Sequence, residues 1–403
     1  MHDARIPSFT RRGLIGSGAA LLGAGMLPAA ASAQAARFRR FEISDPAMPA
    51  RVLASYKAGI AKMLALPPSD PRNWYRNALV HVLDCPHGNW WFLVWHRAYL
   101  GWYEATLREL SGDSDFALPY WDWTKTPRVP AAMFDGVLDP NNGAFIGTFT
   151  QFRQKLEPAV AAMFTAFSPA QKTELQRRGL TTPQNLWPTL QSAFFNRPNA
   201  RGLTATNPDL DADTKLTVAA RIIRDALRTT RFAGSGAPGQ PAGFHSAKAR
   251  NHSTGSVQGI LESQPHNNVH GAMGGGGGAF MQRFLSPVDP IFFLHHANLD
   301  RLWDVWTRRQ TALNQPVLPQ GADLPAWSDE RFLFFSDKQG QPVSRVRAGD
   351  YTSMAAFEYD YSPGIGENEI PPAGTPIATR PTRTFGGPVA EAVIGAPTAA
   401  GAV

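Results

Sequence analysis

The stretch that decides the fold is residues 262–306, ESQPHNNVHGAMGGGGGAFMQRFLSPVDPIFFLHHANLDRLWDVW. His266 and His270 stand four residues apart, so in a helix their imidazoles lie on one face and point toward one position. Asp289-Pro290 is typical of a helix start, with Asp as the capping residue and Pro as the first helical residue. The apolar, aromatic run that follows predicts a second, largely buried helix.

This second helix carries His295 and His296 side by side. Adjacent residues of a helix point about 100° apart, so we expect only one of the two to join His266 and His270. Asp300 follows His296 by one turn and is expected to hold an imidazole in its metal-binding tautomer, a common arrangement behind metal ligands. The pattern therefore predicts a three-histidine metal centre with apolar walls.

A second histidine cluster lies upstream. His81, His87 and His96 fall within sixteen residues, and Asn89 is a predicted N-cap for a long aromatic helix that carries His96. A single buried histidine is ordinarily a core residue, but two groups of three on aromatic helices argue against that interpretation. Neither group contains a carboxylate ligand, which disfavours two-histidine, one-carboxylate iron sites and carboxylate-bridged hydrolytic sites. Two all-histidine sites favour copper over zinc or iron.

The composition indicates a globular protein with an aromatic interior. The 403 residues are 43% apolar, 11% aromatic and 18% charged, which is ample for a large core. The net charge of +7 is scattered and forms no basic runs interleaved with aromatic residues, so a nucleic-acid partner is not expected. The single cysteine, Cys85, rules out an internal disulfide and is a buried thiol, a metal ligand or a partner in another covalent bond.

Residues 1–33 predict a twin-arginine signal peptide. The motif TRRGLI at 10–15 precedes an apolar run and a small-residue cleavage site at 31–33. The run is too short and too rich in glycine for a membrane anchor, so we expect export to the periplasm or beyond with no anchor after processing. Residues 37–361 are predicted to form one catalytic domain, and residues 362–403 a Pro/Ala/Gly-rich tail with little structure.

The segment between the two histidine clusters is harder to interpret. Apolar residues at helical spacing, Leu216 among them, predict one helix over residues 212–229. His245 and His252 border a loop rich in Gly and Pro, in polar surroundings with no matching partner, and are not expected to bind metal.

Four motifs then resemble the type-3 copper family, which comprises tyrosinases, catechol oxidases and haemocyanins: CPHGNWWFLVWHR at 85–97, PYWDW at 119–123, HNNVH at 266–270 and DPIFFLHHANLDRLW at 289–303. The resemblance covers residues 74–123 and 257–306. It implies a mainly α fold in which a central four-helix bundle holds two copper ions.

The resemblance also implies the ligands and their neighbours. It assigns the first copper to His81, His87 and His96 and the second to His266, His270 and His296. His295 is then a neighbour that is not a ligand. The segment between His81 and His87 is shorter than in many bacterial members, which makes His81 the assignment that departs most from the family.

In many members of the family a cysteine is joined by a thioether to the second histidine of the first copper, and here Cys85 would join His87. A free buried thiol is the alternative. Tyr359-Asp360-Tyr361 is similar to the tyrosine motif that closes the catalytic core of eukaryotic relatives. Only residues 362–403 follow, so we expect no folded shielding domain and an open site.

The resemblance implies that dioxygen is a co-substrate and that o-diphenols are oxidised to o-quinones. Glu262 and Asn267 match the acid and amide that order a water able to deprotonate a phenol, which leaves monophenol hydroxylation open. A helix-start acid favoured by the helix dipole is the other interpretation of Glu262. Five glycines at 274–278 predict a mobile loop at the mouth of the site.

The expected substrate pocket contains Gly271, Arg283 and Phe284, with Arg283 or Phe284 over the first copper; an arginine there would favour anionic substrates. An o-aminophenol oxidase on the same scaffold is one alternative function. A haemocyanin-like oxygen carrier and a zinc hydrolase are two others. Expected partners are a small phenolic or aminophenolic substrate and a copper chaperone.

Overall fold

A computed structural model describes residues 36–372 of the chain. Its α-helices are α1 Arg51–Ala65, α2 Trp74–Asp84, α3 Phe92–Ser111, α4 Phe149–Ala166, α5 Pro169–Arg177, α6 Pro183–Ala193, α7 Ala212–Thr217, α8 Ala220–Leu227, α9 Asn267–Ala272, α10 Ile291–Ala312 and α11 Asp323–Ser328. Its strands are β1 Phe38–Arg40 and β2 Tyr359–Tyr361. A π-helical turn spans Glu262–His266 and leads directly into α9.

Short 3₁₀ segments complete the described structure. They are Ala131–Phe134, Gly136–Leu138, Phe280–Gln282, Ser286–Val288, Ala348–Tyr351, Met354–Phe357 and Glu367–Glu369. The mainly α-helical fold predicted from the sequence is confirmed. The four-helix arrangement around the metals stays a prediction.

The long aromatic helix α3 lies at the centre of the core. On one side Gly59 lets α1 approach closely, because a Cβ at this position would collide with the side chain of Leu107. On the other side α10 packs through Phe293, whose ring stacks on that of Tyr103 with centroids 3.5 Å apart. Burying each such side chain contributes about 1.5–3 kcal/mol. Together α1, α3 and α10 form the rigid frame that carries His96 and His296.

The two strands join distant parts of the chain. β1 pairs in parallel with β2, so that Phe38 lies opposite Tyr359 and Arg40 opposite Tyr361. The pairing brings Arg40 beneath α3 and α10, where its side chain is fully buried.

The helix predicted over residues 212–229 is interrupted. Ala219 is extended between α7 and α8, and this break turns the buried Val218 into the core while Leu216 is 58% exposed. The helix α8 buries Ile223, Ala226 and Leu227, whereas α7 buries only Thr214.

The start of α3 differs slightly from the prediction. Asn89 accepts a hydrogen bond from the backbone N–H of Trp91 at 3.0 Å and so caps the turn that leads into the helix, which begins at Phe92. The predicted signal peptide lies outside the described residues, as does most of the predicted tail. Of the helices within residues 36–372, none combines the length and apolar character needed to cross a membrane.

Candidate metal centre

The first histidine cluster forms where α2 and α3 meet. His81 lies in the last turns of α2, His87 in the connecting loop and His96 in the second turn of α3. The ring centroids are 5.3 Å apart for His81 and His87, 5.9 Å for His81 and His96, and 6.3 Å for His87 and His96. Three imidazoles from two helices and a loop thus surround one position.

The second cluster comes from the π turn, α9 and α10. The ring centroid of His266 lies 4.5 Å from that of His270 and 5.1 Å from that of His296. The Nε2 atoms of His270 and His296 are 3.3 Å apart, so both point at the same place. The two clusters touch, because the ring of His96 stacks on that of His296 with centroids 3.9 Å apart.

The Nδ1 atoms of four of these histidines face acceptors. The acceptors are the carbonyl of Phe284 for His81 (2.8 Å), that of Phe92 for His96 (2.7 Å), that of Met281 for His270 (2.5 Å) and Oδ1 of Asn267 for His266 (2.8 Å). A carbonyl oxygen only accepts, so Nδ1 carries the proton and Nε2 keeps its lone pair. The Nε2 atoms of His81 and His266 are buried and have no hydrogen-bond partner among residues 36–372. These are the features of imidazoles prepared to bind metal.

The imidazoles are neutral. Burial lowers the pKa of His81 to about 3 and that of His270 to about 4. Burial, with neighbouring imidazoles, also lowers the pKa of His96, His266 and His296 well below the usual range. Neutral imidazoles without a carboxylate suit copper, so the residues present fit the metal that the sequence indicates.

His295 stays close to the second cluster. Its ring lies 5.5 Å from that of His266 and 5.0 Å from that of His270, and neither nitrogen has a hydrogen-bond partner within the described part of the chain. By distance alone, His295 is therefore as close to the second cluster as His296 is. Its assignment as a neighbour that does not bind metal remains a prediction.

Cys85 is buried beside the first cluster. Its Sγ lies 3.5 Å from Nε2 of His96 and 3.9 Å from Nε2 of His87. Burial raises the pKa of the thiol well above its usual range. The sulfur is thus near both imidazoles, and the thioether to His87 stays a prediction.

Glu262 is buried at the start of the π turn. Its Oε1 accepts from the backbone N–H of Gly88 at 2.5 Å and its Oε2 from the hydroxyl of Ser246. Burial raises its pKa to about 7, against the opposing effect of these two hydrogen bonds. The side chain is therefore no solvated helix-start acid.

Asn267 connects the second cluster to the loop before it. While its Oδ1 faces His266, its Nδ2 donates to Oε1 of Gln258 at 2.8 Å. Asn267 and Gly271 also line a surface cavity of about 580 Å³ next to the second cluster.

Phe284 lies over the first cluster, with its ring 5.7 Å from that of His87 and 6.3 Å from that of His81. Arg283 is exposed and donates to the backbone carbonyl of Gln282. The glycine loop, residues 274–278, packs closely on Gly202. A Cβ at position 202 would collide with the carbonyl oxygen of Gly274.

Asp300 does not contact the imidazole that it was expected to hold. Its carboxylate binds Arg97, Arg40, Tyr359 and Tyr361 and has no hydrogen bond to a histidine within residues 36–372. In α10 the side chain points toward α3 and the strands, where buried guanidinium groups need a counter-ion.

The sequence also missed the surroundings of His252. The sequence predicts polar surroundings without a matching metal ligand, and the structure shows that the ring nitrogens of His252 face Glu330 and Asp84 at 2.6 and 3.0 Å. These partners are 78 and 168 residues away, so no local pattern could reveal them. Ser246 and Gly88, which bind Glu262, were missed for the same reason.

Known proteins are similar to this chain in sequence. The family model for the common central domain of tyrosinase matches residues 60–309. Tyrosinase HcTyr1 of Hahella sp. (strain CCB-MM4) is 29% identical over 293 residues, which is 72% of this chain and 50% of that protein. The latent form of a chloroplastic polyphenol oxidase from Prunus armeniaca is 28% identical over 332 residues, 77% of this chain and 46% of that protein. The chain spans about half the length of these curated relatives.

A similar fold is found in the crystal structure of Grenache (Vitis vinifera) polyphenol oxidase. The TM-score is 0.51 at 23% identity, over 83% of this chain and 87% of that one. The central-domain model covers more than half of the chain and includes all the histidines of both clusters. This chain therefore belongs to the tyrosinase family.

Proposed function

We propose that this protein is a copper-dependent oxidoreductase that uses dioxygen to oxidise o-diphenols to o-quinones. The observation that carries the proposal is the convergence of neutral imidazoles whose Nε2 lone pairs point into one double site. His81, His87 and His96 would hold one copper, and His266, His270 and His296 the other. The two copper ions would supply dioxygen binding and the transfer of electrons from substrate to dioxygen. Two diphenols and one dioxygen give two quinones and two waters.

The protein's own residues keep this site dry and oriented. Phe92 lies between the clusters, its ring centroid 4.7 Å from those of both His96 and His266. The Phe284 ring covers His87, which is only partly buried, unlike the other five histidines. Substrate is proposed to enter on the side of His87 and Phe284.

Glu262 and Asn267 are proposed to order a water that removes the phenolic proton. With a pKa of about 7, Glu262 accepts a proton readily near neutral pH. This pair makes hydroxylation of monophenols part of the proposal. Arg283, being exposed, is a candidate contact for a substrate carboxylate.

Two other functions use the same metal site. An o-aminophenol oxidase would act on aminophenols rather than on catechols. A haemocyanin-like oxygen carrier would bind dioxygen and turn over no phenol. The partly exposed His87 favours an enzyme, because an oxygen carrier needs a site that substrates cannot reach.

An optical spectrum tests the proposal. Copper-loaded protein is taken from anaerobic to aerobic buffer, and then a monophenol, a catechol and an o-aminophenol are added in turn. We expect the intense near-ultraviolet band of oxygenated type-3 copper proteins and oxygen uptake on catechol. Oxygen uptake on the monophenol as well would indicate a tyrosinase. Oxygen uptake on the o-aminophenol alone would indicate an o-aminophenol oxidase.

Matched variants identify the ligand in α10. His296→Ala should lose the band and one copper, whereas His295→Ala and the buried His245→Ala should keep both. Wild-type protein that binds no copper would overturn the proposal.

For localisation, we propose export by the twin-arginine route. The support is the motif at residues 10–15 and the cleavage site at 31–33. Such export carries folded protein, so a copper chaperone would act before the chain crosses the membrane.

A further inference from the structure

The carboxyl group of Glu262 is anchored on both oxygens. Gly88 donates its backbone N–H to Oε1, and Ser246 donates its hydroxyl to Oε2. The hydroxyl oxygen of Ser246 itself accepts the backbone N–H of Gly259 at 2.9 Å. With this lone pair occupied, the hydroxyl proton points toward Glu262.

Both anchors are rigid. Gly88 has φ +66°, a left-handed conformation, and a Cβ there would lie 3.2 Å from the carbonyl of Ser256. Ser246 is only 3% exposed, so water does not compete for its hydroxyl. One oxygen of Glu262 is thus fixed to the loop after His87, and the other to the segment that precedes the π turn.

We propose that Ser246 is a positioning residue for Glu262. Its hydroxyl fixes the plane of the carboxyl group and keeps it in the ionised form that accepts a phenolic proton. The inference rests on the proposed function, since it gives Ser246 a role through the proposed base.

The electrostatic surroundings support this role. Burial raises the pKa of Glu262, and the hydrogen bonds from Ser246 and Gly88 oppose the rise. Burial raises the pKa of the nearby Cys85 thiol, and the charge of Glu262 adds to that rise. His266, one turn along the chain, is neutral because burial lowers its pKa. Loss of the Ser246 hydroxyl should therefore raise the pKa of Glu262 further.

The variant Ser246→Ala tests the inference. One lost hydrogen bond to a charged group corresponds to about a tenfold change, so kcat for a monophenol should fall about tenfold at pH 7 with KM unchanged. The acidic limb of the pH profile should move to higher pH. Ser246→Thr keeps the hydroxyl and should restore the wild-type profile.

Ser263→Ala is the matched control. Ser263 stands beside Glu262 in sequence, but its hydroxyl donates to the carbonyl of Gly259 instead. This variant should keep the wild-type pH profile. Equal profiles for Ser246→Ala and wild type would overturn the inference.

A second measurement does not depend on activity. Infrared difference spectra of the copper-free protein, with Glu262→Gln as the reference, follow the protonation of this one carboxyl group against pH. The midpoint should rise in Ser246→Ala and stay in place in Ser263→Ala. An unchanged midpoint in Ser246→Ala would overturn the inference even if the wild type hydroxylates monophenols. A raised midpoint in a protein without phenol turnover would instead refute the proposed function alone.

Discussion

At the scale of single residues, His252 is a positive charge buried in the core. Its Nδ1 lies 2.6 Å from Glu330 and its Nε2 3.0 Å from Asp84. Carboxylates only accept hydrogen bonds, so both nitrogens carry protons and the imidazole is a cation. Burial alone would lower its pKa, but the carboxylates raise it to about 9.

Replacing His252 should therefore destabilise the protein. His252→Phe removes the cation that pairs with the buried Asp84 carboxylate, which costs about 3–5 kcal/mol. The matched variant His245→Phe should cost little, because neither nitrogen of that buried histidine has a hydrogen-bond partner within residues 36–372. Urea unfolding of the copper-free proteins at pH 7 measures both. Similar losses in the two variants would contradict the charged state of His252.

The charged imidazole of His252 also makes the free energy of unfolding depend on pH. Because the pKa of His252 is raised in the folded state, its contribution to the free energy of unfolding is complete below about 6.5, the usual value for histidine. The contribution is lost as the pH rises through about 9. The free energy of unfolding of the wild type should fall as the pH rises over this range. The His252→Phe variant should not show this part of the decrease with pH.

The sequence predicted contacts between residues that are close in the chain much better than contacts that depend on distant segments. The pair His266 and His270 could be recognised, because helical spacing alone brings residues four apart together. Ser246 could not, because its contact with Glu262 depends on how a loop of irregular backbone folds over the π turn. Asp300 was misjudged for a related reason: its direction in α10 was predicted, but not what α3 and the strands present to it.

At the scale of elements, Asp300 ties the helix α10 to one other helix and to both strands. From α10 its carboxylate binds Arg97 of α3 at 2.6 Å, Arg40 of β1 at 3.5 Å and the hydroxyls of Tyr359 and Tyr361 of β2. Arg97 directly follows His96, so the network supports the helix that carries a proposed copper ligand.

Asp300→Asn should loosen these contacts together. The buried guanidinium of Arg97 would lose its counter-ion, at a cost of about 3–5 kcal/mol, whereas Arg40 would keep its ion pair with Glu104. Asp304→Asn, one turn later, is the control, because its partner Arg308 is 44% exposed and such a pair contributes about 1 kcal/mol or less. Chemical unfolding gives the stabilities, and release of copper to a chelator should be faster in Asp300→Asn only. Equal effects of the two variants would contradict this role for Asp300.

Helices were predicted where strong local signals occur. The start of α10 follows from Asp289-Pro290, and the aromatic run predicts its burial. The break between α7 and α8 has no such signal, because Val218 continues the helical pattern and only the surrounding core decides that the chain turns at Ala219.

At the scale of the whole molecule, one apolar core extends through the described chain. Buried residues from Phe38 to Tyr359 belong to a single packed cluster, and the histidines lie within it. The sequence predicted the mainly helical class, but not that β1 pairs with β2 across more than 300 residues, since short strands leave no distinctive pattern.

Such a core should stay folded without metal. Removing the proposed copper ions with a chelator is expected to lower the thermal midpoint, since a metal that binds the folded state and not the unfolded one stabilises the folded state. The helical circular dichroism at 25 °C should be unchanged, because packing of α1, α3 and α10 does not involve the metal. Loss of the helical signal on chelation would contradict this expectation.

The stacking of His96 on His296 links the two halves of the site. The ring of His96, assigned to the first copper, and that of His296, assigned to the second, form a parallel pair with centroids 3.9 Å apart, so a rotation of either ring breaks its stacking on the other. The first ion to bind would order a ligand of the second site and would remove part of the entropic cost of filling that site. Loading should thus be cooperative, and protein carrying a single ion should be scarce during a copper titration.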